Sequence, residues 1–530
     1  MSRALRFLVI MFALLCGALP AHAAQDVALE RGAAIIDPLA LRELDRGRFG
    51  IAGMLLPERS ANTPLSSGEL FALPSMAAVR QAIDGEFDRY TARHKASLPD
   101  ETIGVGDSFD FQLFDRTKLY SADTRFVLAG IVNRMDRAYL DGASCGEIRL
   151  IYRLTRTDAP MTGTSAVSPR LPMTLNVVLK AKGGNAVDRN GTTITCSAIA
   201  RRWLVAGELS LSGAELAEEL QGGPLDLIDD QNIDRIETNL QIAHAPKSAV
   251  RDFRTDYLLK VFRYDAPAHV FRESPMENQI DRDRILADES LKREFRAWLL
   301  DPKHLAEFDR GTVLIPEKFL AAYAIAPTPV GFEVSNLQPE FGLVQGEGAD
   351  PVFKEADVVA ALKKVTEDGV KLQNIRSVGG FERRLNDITC SGCHQTRGIG
   401  GFHFPGVDWM AARPSNSTVV PASPHFFGDQ IRRRDILSAL RDGRQPDYSR
   451  GFSSRPQLRG NPELVGELLG TGYNDGWGAH CYAANTKGGD VKIPGNDRSF
   501  RSWTCAEGLT CEIAGKTSRM GMCFIKASGK

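Results

Sequence analysis

The residues that most constrain this chain are 390–394, where two cysteines stand two residues apart and a histidine follows the second. Cys-x-x-Cys-His is the attachment pattern for c-type haem. Each cysteine sulfur forms a thioether with one haem vinyl group, and a short helical turn presents Cys390 and Cys393 to the same porphyrin edge. His394 then offers a ring nitrogen to the iron as the proximal ligand. The sequence therefore predicts one covalently bound haem c.

Cys-x-x-Cys pairs also occur in zinc sites and in redox dithiols. A zinc site needs two further ligands, and the chain has no second Cys-x-x-Cys and no His-x-x-x-His. A thioredoxin-like dithiol needs a preceding strand, whereas residues 381–387 have a helical or irregular pattern. A structural disulfide or a metal clip remains the alternative to haem.

The run Cys390-Ser391-Gly392-Cys393-His394 resembles the haem-attachment segment of bacterial c-type cytochromes. The resemblance covers only a small part of the chain. It implies a helical, monohaem, cytochrome c-like segment and, most simply, electron transfer. The rest of the sequence resembles secreted bacterial proteins that carry such a motif near their C-terminal end, and no activity follows from that likeness.

Three residues are candidates for the distal iron ligand: Met410, His403 and His425. Each also suits an ordinary role, because Met410 follows Trp409 as a core residue would, His403 lies in a glycine-rich stretch, and His425 lies near a helix start. A filled sixth position predicts electron transfer. An open position would permit chemistry with peroxide, oxygen or nitrogen oxides.

Residues 1–23 have the pattern of a secretory signal peptide. Arg3 and Arg6 precede an apolar run at 7–19, and a small-x-small cleavage site ends the segment. We expect the mature chain to begin near Ala24. No later apolar run is long enough to cross a bilayer. The sequence therefore predicts a periplasmic or secreted protein with no integral membrane segment after signal removal.

Charge gives little evidence about partners. The chain of 530 residues carries 65 basic and 66 acidic side chains, for a net charge of −1. A basic patch or strongly positive balance would indicate nucleic acid or an anionic membrane surface, and neither is present in this sequence. We expect no nucleic-acid partner. A redox protein is the partner that the haem prediction implies.

Export also determines how the remaining cysteines are interpreted, because disulfides persist outside the cytoplasm. Removal of Cys16 with the signal leaves eight, of which two belong to the haem motif. Cys145 and Cys196 form the only pair in the first half of the chain, so we expect a disulfide between them. The C-terminal tail holds four more cysteines, which allow three connectivities: Cys481, Cys505, Cys511 and Cys523.

Strand and helix patterns are interspersed before the motif, which predicts an α+β fold with a mixed, sheet-rich N-terminal body. Residues 126–132 suit a strand buried on both faces, and residues 146–154 alternate between apolar and polar side chains. Residues 193–199, which include Cys196, have the pattern of a further strand. Residues 316–324 have the pattern of a helix that begins with proline.

The predicted organisation has three parts after the signal peptide. An α+β body spans 24–345, a cytochrome c-like haem-binding region spans 346–460, and a small disulfide-stapled module spans 461–530. The favoured function is electron transfer through the haem. The alternatives are a haem oxidoreductase with an open distal iron site, and a secreted binding protein in which the motif is only structural.

Overall fold

The computed structural model describes most of the N-terminal two thirds of the chain and parts of the remainder. The described residues are 34–58, 64–142, 144–157, 170–181, 187, 191, 193–245, 254–329, 352, 354–372, 375, 381, 384–385, 388–389, 407, 409–410, 424–450, 480–482, 509–513 and 520–525. The predicted signal peptide lies outside them.

The described residues contain both helices and strands, which confirms the α+β class. The α-helices are α1 (Pro38–Arg46), α2 (Ile51–Leu55), α3 (Ser67–Ala72), α4 (Ala77–Ser97), α5 (Cys196–Gly207), α6 (Gly213–Gly222), α7 (Arg282–Ala287), α8 (Glu289–Leu299), α9 (Pro302–Arg310), α10 (Glu355–Glu367) and α11 (Pro424–Arg441). The strands are β1 (Ala34–Ile35), β2 (Ile103–Gly104), β3 (Phe111–Leu113), β4 (Thr124–Arg134), β5 (Glu147–Arg156), β6 (Arg170–Lys180), β7 (Ile233–Ala245), β8 (Arg254–Asp265), β9 (Val270–Ser274), β10 (Tyr323–Pro329), β11 (His480–Tyr482), β12 (Leu509–Ile513) and β13 (Met520–Ile525). Short 3₁₀ turns lie at Pro74–Met76, Arg116–Tyr120, Met135–Leu140, Asp230–Asn232 and Glu317–Phe319.

Ten of the described strands form one sheet. Its main path runs β1-β4-β5-β6-β7-β3-β2, and β8 pairs with β7 and carries β9 and β10. Every pairing is antiparallel except the short β2–β3 contact. Long antiparallel neighbours joined by local connections are the arrangement expected of an α+β body.

The two faces of this sheet differ in chemistry. On β5, Leu150 and Tyr152 point to one face and are fully buried, whereas Arg149 points to the other. The apolar face belongs to one large core that includes Leu44 of α1 and Trp203 of α5. Full burial of a leucine-sized side chain stabilises the fold by about 1.5–3 kcal/mol relative to leaving that side chain exposed. The sheet is therefore held by its apolar face, and its polar face is free to carry charges.

A second hydrophobic core is built from helices. Phe295 and Leu299 of α8 and Phe308 of α9 pack in it with Val358 of α10. The same core includes Ile388, which lies two residues before Cys390. The predicted haem region, 346–460, thus contributes Val358 and Ile388 to the same core as helices α8 and α9. The three boundaries given above stay predictions.

The outer edge of β4 is covered rather than left open. Strand β1 pairs with only two residues of β4, at Ile131 and Val132. Beyond them, an Asp45 carboxylate oxygen accepts from the Leu128 N–H at 2.8 Å. The Trp409 indole N–H donates to the Leu128 carbonyl oxygen at 2.8 Å. Unpaired edge groups are costly to bury and invite aggregation, so these two side chains complete the strand.

The predicted Cys145–Cys196 disulfide is confirmed, with a Cα–Cα distance of 5.3 Å. The secondary structure predicted for Cys196 is wrong, because Cys196 begins helix α5 rather than lying in a strand. The Thr195 side chain accepts from the Ala198 N–H and so caps the helix. The following residues bury Trp203 at helical rather than alternating spacing, and that burial decides the conformation.

The helix predicted at 316–324 is also wrong. Only Glu317–Phe319 forms a 3₁₀ turn, and the chain then enters strand β10. Ala324 and Ala326 are buried opposite Leu259 and Tyr257 of β8. A short run of alanines has no strong strand propensity, so pairing with an available edge of the sheet overrides the local preference.

In the tail, the described residues form a small antiparallel sheet in the order β11-β13-β12. Cys481 lies on β11 opposite Gly521, and Cys511 on β12 lies directly opposite Cys523 on β13. Cys505 lies outside the described residues. The register brings two of the four tail cysteines to facing positions, and the disulfide connectivity itself stays a prediction.

Candidate functional site

The residues of the haem motif, Cys390, Cys393 and His394, lie outside the part of the chain that the structure describes, as does His403. His425 lies on helix α11, of which the structure describes only the backbone at that position. The described residues nearest the motif are Ile388 and Thr389 before it and Val407, Trp409 and Met410 after it.

Both flanks of the motif are anchored. On the N-terminal side, Ile388 is buried in the helical core and Thr389 is fully buried. On the C-terminal side, the Val407 N–H donates to the Ala129 carbonyl oxygen of β4 at 2.8 Å, and Val407 belongs to the core of the sheet. Residues 388–389 are therefore held at the helical core and Val407 at the edge of the sheet, on the two sides of the motif in sequence.

Met410 follows Trp409 at this edge. It is partly buried and packs against the large core of the sheet. That position is the one expected for a core methionine, which fills irregular gaps with a flexible apolar chain. Its role as a distal iron ligand stays a prediction.

A buried cluster of arginines around one aspartate lies where the 3₁₀ turn after β4 meets helix α11 and the end of the described run 424–450. The Asp136 carboxylate accepts from Arg134 Nε at 2.9 Å, from Arg432 Nη2 at 2.7 Å and from Arg450 Nη2 at 2.6 Å. All four side chains are buried. Burial alone would raise the pKa of Asp136, but these guanidinium groups together with that of Arg433 hold it well below its usual range.

The arginine cluster is linked to the N-terminal flank of the motif. Arg384 is fully buried and lies four residues before Ile388. Its Nη2 donates to the carbonyl oxygens of Asp309 at 2.9 Å and Arg450 at 2.8 Å. The Arg450 N–H in turn donates to the Arg310 carbonyl oxygen at 2.7 Å. One hydrogen-bonded chain thus joins the Asp136 cluster, helix α9 and the stretch that leads into the motif.

A cavity of about 440 Å³ lies between the polar face of the sheet and the helical core. Ile388 contributes to its wall. Its lining includes six basic and six acidic side chains, which are Arg137, Arg149, Lys180, Arg235, Arg263, Arg450, Asp141, Glu147, Asp234, Glu237, Glu277 and Glu317. The volume lies in the range of ligand-binding clefts.

Strands β5 and β7 supply the charged floor of this cavity. Arg149 lies between two carboxylates, with its Nη2 2.8 Å from Glu147 Oε2 and its Nη1 3.0 Å from Glu237 Oε2. Arg235 Nη2 lies 2.8 Å from both Glu147 Oε1 and Glu237 Oε1. Both carboxylates therefore contact both of these guanidinium groups, and positive and negative charges alternate across the floor.

The pKa values in this network reflect strong mutual stabilisation. Burial would raise the pKa of Glu147, but Arg235, Arg137 and Arg149 hold it well below its usual range. Glu237 follows the same pattern, with a pKa lowered by Arg149 and Arg235 against the effect of burial. Both carboxylates are therefore ionised at neutral pH, and the floor of the cavity carries fixed charges rather than a titrating acid or base.

Among the described residues, no group of three or more histidine, cysteine, aspartate or glutamate side chains is placed to hold a metal ion. Within the same part of the chain, no helix is long and apolar enough to cross a membrane. The described charged side chains around the cavity and the Asp136 cluster are mainly arginines and carboxylates, which suit polar ligands. The thiols and the imidazole that could bind a metal in this region are those of residues 390–394.

Sequence patterns did not reveal the Asp136 cluster or the cavity. The cluster joins residues 134–136 to Arg432 and Arg450, which are distant in the chain. The only sequence signal for the cavity was the polar side of β5, on which Arg149 lies. Comparison with known proteins adds no assignment, since no family model, no curated protein and no solved structure matches the chain.

Proposed function

We propose that this protein is an exported c-type haem protein that transfers electrons through one covalently bound haem. In this proposal, Cys390 and Cys393 hold the haem and His394 is the proximal iron ligand. The α+β body would present the haem-binding region to a redox protein partner, and the tail would be a disulfide-stapled module. The mature chain would act in the periplasm or outside the cell.

The observation that carries the proposal is the donor set of residues 390–394. Two thiols at this spacing with an adjacent imidazole fit covalent haem attachment, and the sequence has no second Cys-x-x-Cys and no His-x-x-x-His that would supply the other half of a zinc site. The anchored flanks support it. Thr389 and Val407, the described residues on either side of 390–406, are both buried.

The flanks have a clear physical task under this proposal. A bound haem c supplies reversible one-electron chemistry at its iron. Arg384 ties the N-terminal flank to helix α9, and Trp409 ties the C-terminal flank to the β4 edge through its indole N–H. Flanks held in place on both sides would limit the rearrangement that accompanies a change of iron charge, and a small rearrangement favours rapid electron transfer.

The decisive experiment is to express the protein with haem-maturation machinery, denature it and test for covalently retained haem by staining and by mass. We expect haem on the wild-type chain and on the Ser391→Ala control, which changes only a variable position of the motif. Cys390→Ala and Cys393→Ala should each lose a thioether, and His394→Ala should alter the reduced-state spectrum. A denatured wild-type chain without haem would refute the proposal and favour a secreted binding protein.

A second candidate is a haem oxidoreductase with an open distal site. Met410 packs against the core of the sheet, and the cavity has Ile388 in its wall close to the motif. Both observations favour a distal side that small molecules could reach. Carbon monoxide binding to the reduced protein distinguishes the two candidates, because a filled sixth position resists it. Variants of Met410, His403 and His425 would then identify any distal ligand by its spectral change.

A further inference from the structure

Three side chains meet at the outer edge of β4, and the proposed electron transfer uses none of them directly. Asp45 of α1 has a side chain that is only 4% exposed, and its Oδ2 lies 3.6 Å from Nη1 of Arg125 on β4. The central guanidinium carbon of Arg125 lies 5.9 Å from the ring centre of Trp409. Arg125 therefore stands between a carboxylate and an indole, and the indole belongs to the segment that follows the haem motif.

Arg125 contacts both of these partners loosely. Its distance from Asp45 exceeds the length of a charge-assisted hydrogen bond, which is about 2.7–2.9 Å. Its distance from Trp409 is close to the limit of about 6 Å for a cation–π contact. Asp136, by contrast, accepts from three guanidinium groups at 2.6–2.9 Å. A small movement of Arg125 would improve one of its contacts and lengthen the other, so this side chain has two alternative positions.

The protonation state of Asp45 decides which position is favoured. A buried carboxylate with one loose ion pair is incompletely compensated for the water that it loses, and this favours its neutral form. Burial raises the pKa of Asp45 to about 6, although Arg125, the Leu128 N–H and Arg46 lower it. The carboxylate is therefore charged at neutral pH and attracts Arg125, whereas in mild acid it is neutral and releases that attraction.

The charged and titratable neighbours of Asp45 keep a constant charge over this pH range. Among the described residues, Arg46 on α1 and Arg125 on β4 act on it, and arginines stay protonated. Tyr152 on β5 also interacts with Asp45, and burial raises the pKa of Tyr152 well above its ordinary value, so it stays neutral. Arg48, in the turn after α1, donates instead to two backbone carbonyl oxygens. Asp45 is thus the member of this group that changes charge.

We propose that Asp45, Arg125 and Trp409 form a pH-sensitive contact, in which Arg125 lies against the ionised Asp45 at neutral pH and against Trp409 in mild acid. Trp409 also donates through its indole N–H to the Leu128 carbonyl oxygen at 2.8 Å. The contact therefore acts on the point where the segment after the haem motif joins β4. Mild acid would strengthen the cation–π contact at this point. The inference goes beyond electron transfer and does not depend on bound haem.

The test follows Trp409 in the full chain labelled with 5-fluorotryptophan. The chain has five tryptophans, and the ¹⁹F signal that disappears in Trp409→Phe identifies Trp409. We expect this signal to change position with pH, with a midpoint of about 6. In Asp45→Asn the same signal should stay constant. A Trp409 signal that does not titrate between about pH 5 and 7, or that still titrates in Asp45→Asn, would overturn the inference.

Two arginine variants test whether Arg125 carries the effect. Arg125→Gln should remove most of the pH dependence of the Trp409 signal, because the moving guanidinium is gone. Arg46→Gln is the matched control, since Arg46 also acts on Asp45 but is 62% exposed and pairs with Glu43. Its Trp409 signal should titrate as in the wild type, with a midpoint that is equal or higher.

The other four tryptophan signals show whether each variant keeps the native fold. If Arg125→Gln disturbs them, Arg125→Met tests the same point with an unbranched apolar side chain. A titration of undiminished size in the folded Arg125 variant, or its loss in Arg46→Gln, would contradict the proposed movement of Arg125.

Discussion

Replacing Asp136 by asparagine should strongly destabilise this protein. The carboxylate is buried and accepts from Arg134, Arg432 and Arg450 at 2.6–2.9 Å. Asparagine has nearly the same shape but no charge, so three buried guanidinium groups would lose their counter-charge. Removing one partner of a buried ion pair costs about 3–5 kcal/mol. Three arginines share this partner, and we therefore expect the upper half of that range.

Thermal and chemical unfolding would measure the effect. A loss of this size should lower the melting temperature by at least about 5 °C. Glu294→Gln is the matched control, since its pair with Lys318 on the surface is about half exposed. Exposed pairs contribute about 0–1 kcal/mol, and the control should therefore melt close to the wild type.

The pH dependence gives an independent check. The pKa of Asp136 in the folded protein lies well below its usual range, whereas in the unfolded chain it is about 3.9. The carboxylate therefore stabilises the fold above about pH 4, and this stabilisation is lost as the pH falls below that value. The difference between wild type and Asp136→Asn should shrink below pH 4. A melting temperature within ~1 °C of wild type at pH 7, or a difference independent of pH, would refute the reasoning.

Other measurements test separate parts of the structure. Burial raises the pKa of Asp45 to about 6 although its ion pair with Arg125 lowers it, so ionisation of Asp45 opposes folding as the pH rises from about 4 through 6. In denaturant titrations, the free energy of unfolding of Asp45→Asn should exceed that of the wild type by up to ~3 kcal/mol at pH 7 and should equal it below pH 4. Replacing Cys145 and Cys196 together by serine should lower the free energy of unfolding by ~4 kcal/mol in the same assay, because their disulfide closes a long loop. The register predicts a Cys511–Cys523 disulfide, since facing residues of antiparallel strands lie within disulfide range, and non-reducing peptide mapping that finds another partner for either cysteine would contradict it.

Sequence reasoning succeeded where one strong local signal dominates. The alternation of Ile148, Leu150 and Tyr152 with Arg149 gives strand β5 its two faces, because side chains on a strand point alternately to opposite sides. It failed where two local patterns compete. Residues after Thr195 suit either a strand or a helix until a buried partner exists for Trp203, and the core then selects the helix.

By itself, the sequence determined the α+β class, the Cys145–Cys196 pairing and the chemistry available at residues 390–394, because periodicity, cysteine count and donor spacing are properties of the chain. Only the tertiary structure decided what surrounds that chemistry. The Asp136 cluster and the charged cavity bring together residues whose separation along the chain carries no pattern. Their proximity follows from the packing of the helical core against the polar face of the sheet, where buried charges must find partners of opposite sign.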